Sequence, residues 1–170
     1  MAKKLVVLAD IESVRIPFTS FEKALKEVSK QGEIATVKFY GYSAKRTKDY
    51  AEFIQDNNYD ALSALPRKRK GKLDLRQVID AVKYAQYPNV DGFFIIYGKG
   101  DIKPLISYLK GLGMDVIAGA AAPDANSALC NQTVLLEGAA MPKPRKAAPK
   151  KAAADDGDDL IAQLSALLKG

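Results

Sequence analysis

Three aspartates stand where an α/β chain would carry out chemistry with oxygen ligands. Asp10 closes the apolar run KLVVLA, Asp101 follows GFFIIY through the turn Gly98-Lys99-Gly100, and Asp74 opens DLRQVIDAVKYA directly after a basic run. Two converging carboxylates at about 4 Å repel by about 4 kcal/mol in an effective dielectric of about 20, so such a cluster normally holds a cation. Oxygen-only donors select magnesium or manganese. Asp74 and Asp101 also have a plainer role open to them, because an aspartate at a helix start caps exposed N–H groups. Asp10 has no helix starting immediately after it, and Glu12 follows two residues on. The chain has no histidine and one cysteine, Cys130, which excludes imidazole catalysis, Cys/His zinc sites and an internal disulfide. Carboxylates, hydroxyls, Lys and Arg are left to do the work.

The elements that must position these acids are legible as apolar runs alternating with helical patterns. KLVVLA, ATVKFY, YDALSAL, GFFIIY, MDVIAG and TVLLE read as strands, separated by TSFEKALKEVSK, TKDYAEFIQDN, DLRQVIDAVKYA and IKPLISYLKGLG. Such alternation predicts βαβ units in a three-layer α/β/α sandwich with a mostly parallel sheet. Thr19 with Glu22 has the pattern of a capping box, and Gly32 and Gly113 follow their helices as stops. Open parallel sheets bind ligands at the carboxyl ends of their strands, where Asp10 and the Lys99–Asp101 turn fall.

The whole chain of 170 residues is the size of one ordinary domain with a tail, and its 48% apolar content fills one core. Residues 1–137 form the expected domain. From Gly138 to Ala154 the composition is five basic residues, three prolines, seven alanines and no acid, so residues 138–157 read as a basic linker. Residues 158–170 read as a short amphipathic helix, with Leu160, Ile161, Leu164, Leu167 and Leu168 on one stripe. That helix suits docking on a protein partner or a second copy of the chain. Asp10 cuts the N-terminal apolar run far short of a signal core or a membrane span, so a cytoplasmic, non-membrane protein is expected.

Net charge is +6 with a pI of about 9.3, a balance that favours a polyanionic partner. Arg67, Lys68, Arg69, Lys70 and Lys72 lead straight to Asp74, so a phosphate backbone would bind beside that acid. Lys45, Arg46 and Lys48 extend the positive edge, while Tyr40 and Tyr42 either pack in the core or stack on bases. Gly98-Lys99 resembles a phosphate-binding loop only superficially: counted from Gly92 the spacing is one residue too long, and Gly100 replaces the magnesium-binding hydroxyl.

Residues 4–137 resemble the NYN domain, LabA-like type, of the PIN-like nuclease superfamily. VVLADIES stands at the family's strand ending in Asp-Gly-Glu-Asn, KFYGYSAKR at its second strand and turn, and KGKLDLRQVIDAVKYA at the helix presenting two aspartates, Asp74 and Asp80. VDGFFIIYGKGDIKPLISYLKGLGMDVIAG matches a strand running into Asp-Ser-Asp-Phe, then Pro-Leu, a helix and a last strand. The resemblance implies a ribonuclease that binds magnesium or manganese through Asp10, Asp74 and Asp101, with Asp80 and Glu12 as further acids. The metal would activate water and neutralise the scissile phosphate of a single-stranded RNA.

Two departures qualify this reading. Ser13 replaces the family asparagine and keeps a hydrogen-bonding group suited to phosphate. Lys99 replaces the first aspartate after the fourth strand, reversing the charge at a principal metal position. An ammonium there either neutralises the acids internally or contacts phosphate as a point charge. Two functions therefore follow: a metal-dependent ribonuclease, or a catalytically inactive RNA-binding or adaptor module on the same basic site.

Overall fold

The computed structural model describes residues 1–66 and 72–140, together with Ser165, Ala166 and Leu168. Arg67, Lys68, Arg69 and Lys70, most of the 138–157 linker and most of the 158–170 helix lie outside the described residues.

Six strands form one all-parallel sheet: β1 (Lys4–Asp10), β2 (Glu33–Tyr42), β3 (Asp60–Ser63), β4 (Gly92–Ile96), β5 (Asp115–Ala120) and β6 (Gln132–Leu135), in the order β3-β2-β1-β4-β5-β6. Helices α1 (Phe18–Ser29), α2 (Ala51–Asp56), α3 (Leu75–Tyr84) and α4 (Lys103–Gly111) cover it. The fold is the α/β, Rossmann-like sandwich that the alternating pattern predicts.

The two-residue period of β1 explains the layering. Leu5, Val7 and Ala9 face one core with α1, through Phe21, Ala24 and Val28, and with an aromatic group that includes Phe39 and Tyr50. The rings of Phe39 and Tyr50 lie 5.6 Å apart, edge to face. Val6 and Leu8 face the second core with Ala81 of α3, Ile106 and Leu109 of α4, and Phe93 and Ile95 of β4. By the same alternation Asp10 lies on the α3 side. Chain order runs outward from β1 to β3 on one side and from β4 to β6 on the other, so the topological switch falls between β1 and β4. Gln77 of α3, 1% exposed, pins the helix over that seam by donating Nε2 to the carbonyls of Leu8 (2.9 Å) and Ile96 (2.7 Å).

Helix ends are set partly by tertiary contacts. The Thr19–Glu22 capping box does not form: α1 begins at Phe18 behind Pro17, whose ring presets φ, and Asp49 Oδ2 accepts the Phe18 N–H at 3.2 Å. Gly113 is left-handed at φ +78 and stops α4, as expected. Gly32 is not the α1 stop. That helix ends at Ser29, and Gly32 lies where a Cβ would come 2.5 Å from the Lys3 carbonyl oxygen. Among the described residues no helix is long and apolar enough to cross a membrane.

Candidate functional site

The carboxyl ends of β1 and β4 converge with the start of α3 into one polar mouth. Asp10 is fully buried, and its Oδ1 accepts the N–H of Glu12 (3.2 Å) and of Ser13 (2.9 Å) in an aspartate-stabilised turn that ends β1. Ser13 is buried too. Its Oγ donates to the Lys72 carbonyl at 2.9 Å, so the hydroxyl expected to meet a phosphate secures the chain entering α3 instead. Lys72 in turn lies in a parallel bridge with Lys99, with Leu73 N–H donating to the Lys99 carbonyl at 3.0 Å. Backbone pairing thus draws Asp10, Ser13, Lys72 and Lys99 together from three separate stretches of sequence. Lys72 and Lys99 are exposed at the rim.

Asp74 caps α3, accepting the Arg76 N–H at Oδ1 (3.1 Å). The same carboxylate, 1% exposed, is gripped by the Arg76 guanidinium, Nε to Oδ1 at 3.0 Å and Nη2 to Oδ2 at 2.8 Å. This fork uses the planar geometry that suits arginine to carboxylates. Nη2 also donates to the Ser63 carbonyl at 3.0 Å, tying α3 to the end of β3. The hydrogen bond to Asp74 raises the Arg76 pKa further above its ordinary value, partly opposed by desolvation. Sequence reasoning left Lys99 either as an internal countercharge or as a phosphate contact; Arg76, which it did not single out, is a countercharge of Asp74. The available signal was the Asp-Leu-Arg spacing at the helix start, where a long cation two residues after the cap folds back onto it.

The remaining acids are engaged elsewhere. Asp80 Oδ2 accepts the Tyr40 hydroxyl (2.8 Å) and pairs with Lys38 Nζ (3.0 Å), both from β2. Burial first, then this hydrogen bond, raises the Tyr40 pKa, so the ring is a protonated, packed donor and not a stacking platform. Asp101, whose side chain is 62% exposed, accepts the Lys103 N–H at 3.0 Å and lies 3.8 Å from Lys103 Nζ, the local role open to it at the start of α4. Glu12 is half-buried, with Oε2 shielded from solvent and lacking a hydrogen-bond partner.

A magnesium ion is usually held through one or two carboxylates, with waters and substrate phosphates completing its octahedron, whereas the family pattern brings three acids together. Among the described residues no three acids converge so. Asp74 has both oxygens in the guanidinium fork, one Asp10 oxygen holds two backbone N–H groups, and Asp101 binds its own helix. Among the described residues this arrangement does not fit a three-acid metal centre.

An all-parallel sheet with buried acids and exposed lysines at its switch point defines an α/β, Rossmann-like domain. The NYN domain model matches residues 4–136, and the chain belongs to the NYN domain family. A sequence comparison with curated proteins finds no significant match. Among solved structures, the chain is similar to one in a structure of Sir2Af2 bound to a myristoylated histone peptide, at 14% identity and TM-score 0.39, covering 79% of this chain and 85% of that one. A structure on the mechanism and regulation of Sir2 enzymes gives 12% identity and TM-score 0.39, covering 79% and 86%.

Proposed function

We propose that this chain is a LabA-like NYN module that binds single-stranded RNA across the β1–β4 mouth without cleaving it. The observation that carries this reading is the Arg76 fork on Asp74: the acid that the family pattern assigns to metal is already neutralised by an arginine of its own helix. Lys99 supports it, since a lysine stands where the family pattern has an acid. In place of a site that activates water, the mouth offers cations at its rim. Lys72 and Lys99 supply positive charge for phosphates, and the Arg67–Lys70 run precedes Lys72 in sequence. Contacts of this type are largely independent of base sequence and are screened by salt.

The test is incubation of a labelled single-stranded RNA pool with the purified protein in manganese, magnesium or chelator, with Asp10→Asn in parallel. Intact RNA in a complex whose log K falls with log salt by about 0.7 per phosphate contact is expected. Lys99→Ala and Lys72→Ala should each flatten that slope by about 0.7. Metal-dependent cleavage that disappears in Asp10→Asn would overturn the reading and establish a working nuclease.

A further inference from the structure

The ends of β1 and β2 also border a second cleft, of about 440 Å³, on the α1 side of the sheet. Its size is within the usual range for small-molecule sites. Three local devices build it. A register slip in β2 places Gly41 at φ +80, so close to Glu12 that a Cβ there would stand 2.2 Å from the Glu12 Cβ. Arg15 pairs antiparallel with Ala140, N–H to carbonyl at 3.1 and 3.0 Å, which brings the segment after β6 back as a wall. Thr47 Oγ1 donates to the Ser43 carbonyl at 2.9 Å and accepts its N–H at 2.8 Å, bracing the loop that carries Arg46. The Tyr50 hydroxyl donates to the Ile16 carbonyl at 2.8 Å, and Ile16, Pro17 and Tyr50 give the cleft an apolar surface.

The polar groups left in this cleft have complementary needs. The exposed guanidiniums of Arg15 and Arg46 make no hydrogen bond or ion pair among the described residues. Glu12 lines the cleft, and its Oε2, shielded from solvent beside Gly41, lacks a donor. A turn about its broad terminal torsion is needed to bring that oxygen to a ligand in the cleft. Asp49, also on the wall, is already engaged by the Phe18 N–H. A ligand that satisfies all of this has a flat, partly apolar body, an N–H edge for the carboxylate and a phosphate for the arginines.

We infer that this cleft takes one unpaired guanosine nucleotide of the bound RNA, its base edge on Glu12 and its phosphate on Arg15 and Arg46. Guanine presents a ring N–H and an amino group side by side, which a carboxylate accepts together. Uracil flanks its single N–H with carbonyl oxygens that repel the acid. RNA proteins commonly read such splayed-out bases by their edges. The inference rests on the RNA-binding reading and adds base preference to it, because the Glu12 turn lies between this cleft and the mouth at α3.

The experiment is titration of the full chain, by calorimetry and amide chemical shifts, with guanosine, adenosine, cytidine and uridine monophosphates. Oligouridine and guanosine-containing RNA are bound in parallel. Guanosine monophosphate should bind at least about tenfold more tightly than uridine monophosphate, a difference of about 1.4 kcal/mol. Glu12→Gln should remove most of that preference, whereas Arg46→Ala, at an exposed site, should weaken all four nucleotides alike. Equal binding of the four nucleotides, or a preference untouched by Glu12→Gln, overturns the inference. RNA retained with no nucleotide bound overturns the cleft alone. Guanosine monophosphate bound with no RNA retained overturns the RNA reading and leaves a site for free guanine nucleotides.

Discussion

Arg76→Ala tests the core of the structural argument, because it removes the guanidinium and leaves the Asp74 carboxylate in place. That carboxylate is 1% exposed and loses contacts at 3.0 and 2.8 Å, while the Ser63 carbonyl loses one at 3.0 Å. Removing one partner of a buried ion pair costs about 3–5 kcal/mol. The Arg76 side chain is 30% exposed, so water takes over part of its role, and a discounted loss of about 2–3 kcal/mol follows. The backbone cap from Arg76 N–H to Asp74 survives, which keeps α3 in place. For a domain of this size each kcal/mol moves Tm by about 2–4 °C, so the variant should melt about 4–12 °C lower in a calorimetric scan. Asp74→Asn with Arg76→Ala should lose less than the sum of the single variants, with a coupling of about 0.5–3 kcal/mol. A Tm within about 1 °C of the parent, or strictly additive single variants, would refute the claim that Arg76 neutralises Asp74.

Two further outcomes are expected. Arg76→Ala combined with Lys99→Asp strips two positive charges from the mouth and adds a negative one. Millimolar manganese should then raise the Tm of the double variant and leave that of the parent unchanged, as binding to the native state requires; equal responses would undercut the charge argument. Burial pushes the Cys130 thiol up from 9.0 to about 11, with Sγ 3.6 Å from the Asn126 carbonyl. At pH 8 its thiolate fraction should therefore be roughly 100-fold below that of a thiol with the ordinary value, and alkylation by iodoacetamide correspondingly slow. Reaction at the rate of free cysteine would contradict this.

Much of the architecture was legible because burial imposes a period. KLVVLA and GFFIIY are continuous apolar runs, as strands covered on both faces must be, and the helices between them alternate on their own period. That order implied the parallel sheet, and the strand ends pointed to Asp10 and the Lys99 turn. Asp74 as a cap was readable from its place before DLRQVIDAVKYA. The α1 start was misread, since its first N–H is held by Asp49, a residue 31 positions away.

Partner choice among polar groups was beyond the reach of pattern. Ser13 and Lys72 meet across 59 positions, and Tyr40 and Asp80 across 40, because sheet register and helix docking bring them together. Arg76 lies two residues from Asp74, but which way its long side chain folds depends on the Ser63 carbonyl waiting at the end of β3. The cleft beside Glu12 depends on the slip at Gly41 and on Ala140 returning to Arg15, neither of which leaves a periodic trace. Residue types and their period thus determined the layers, the switch point and the chemistry available to this chain. Three-dimensional proximity decided which acids were neutralised and which cations still face solvent, because hydrogen bonds and ion pairs act over a few ångströms regardless of distance along the chain.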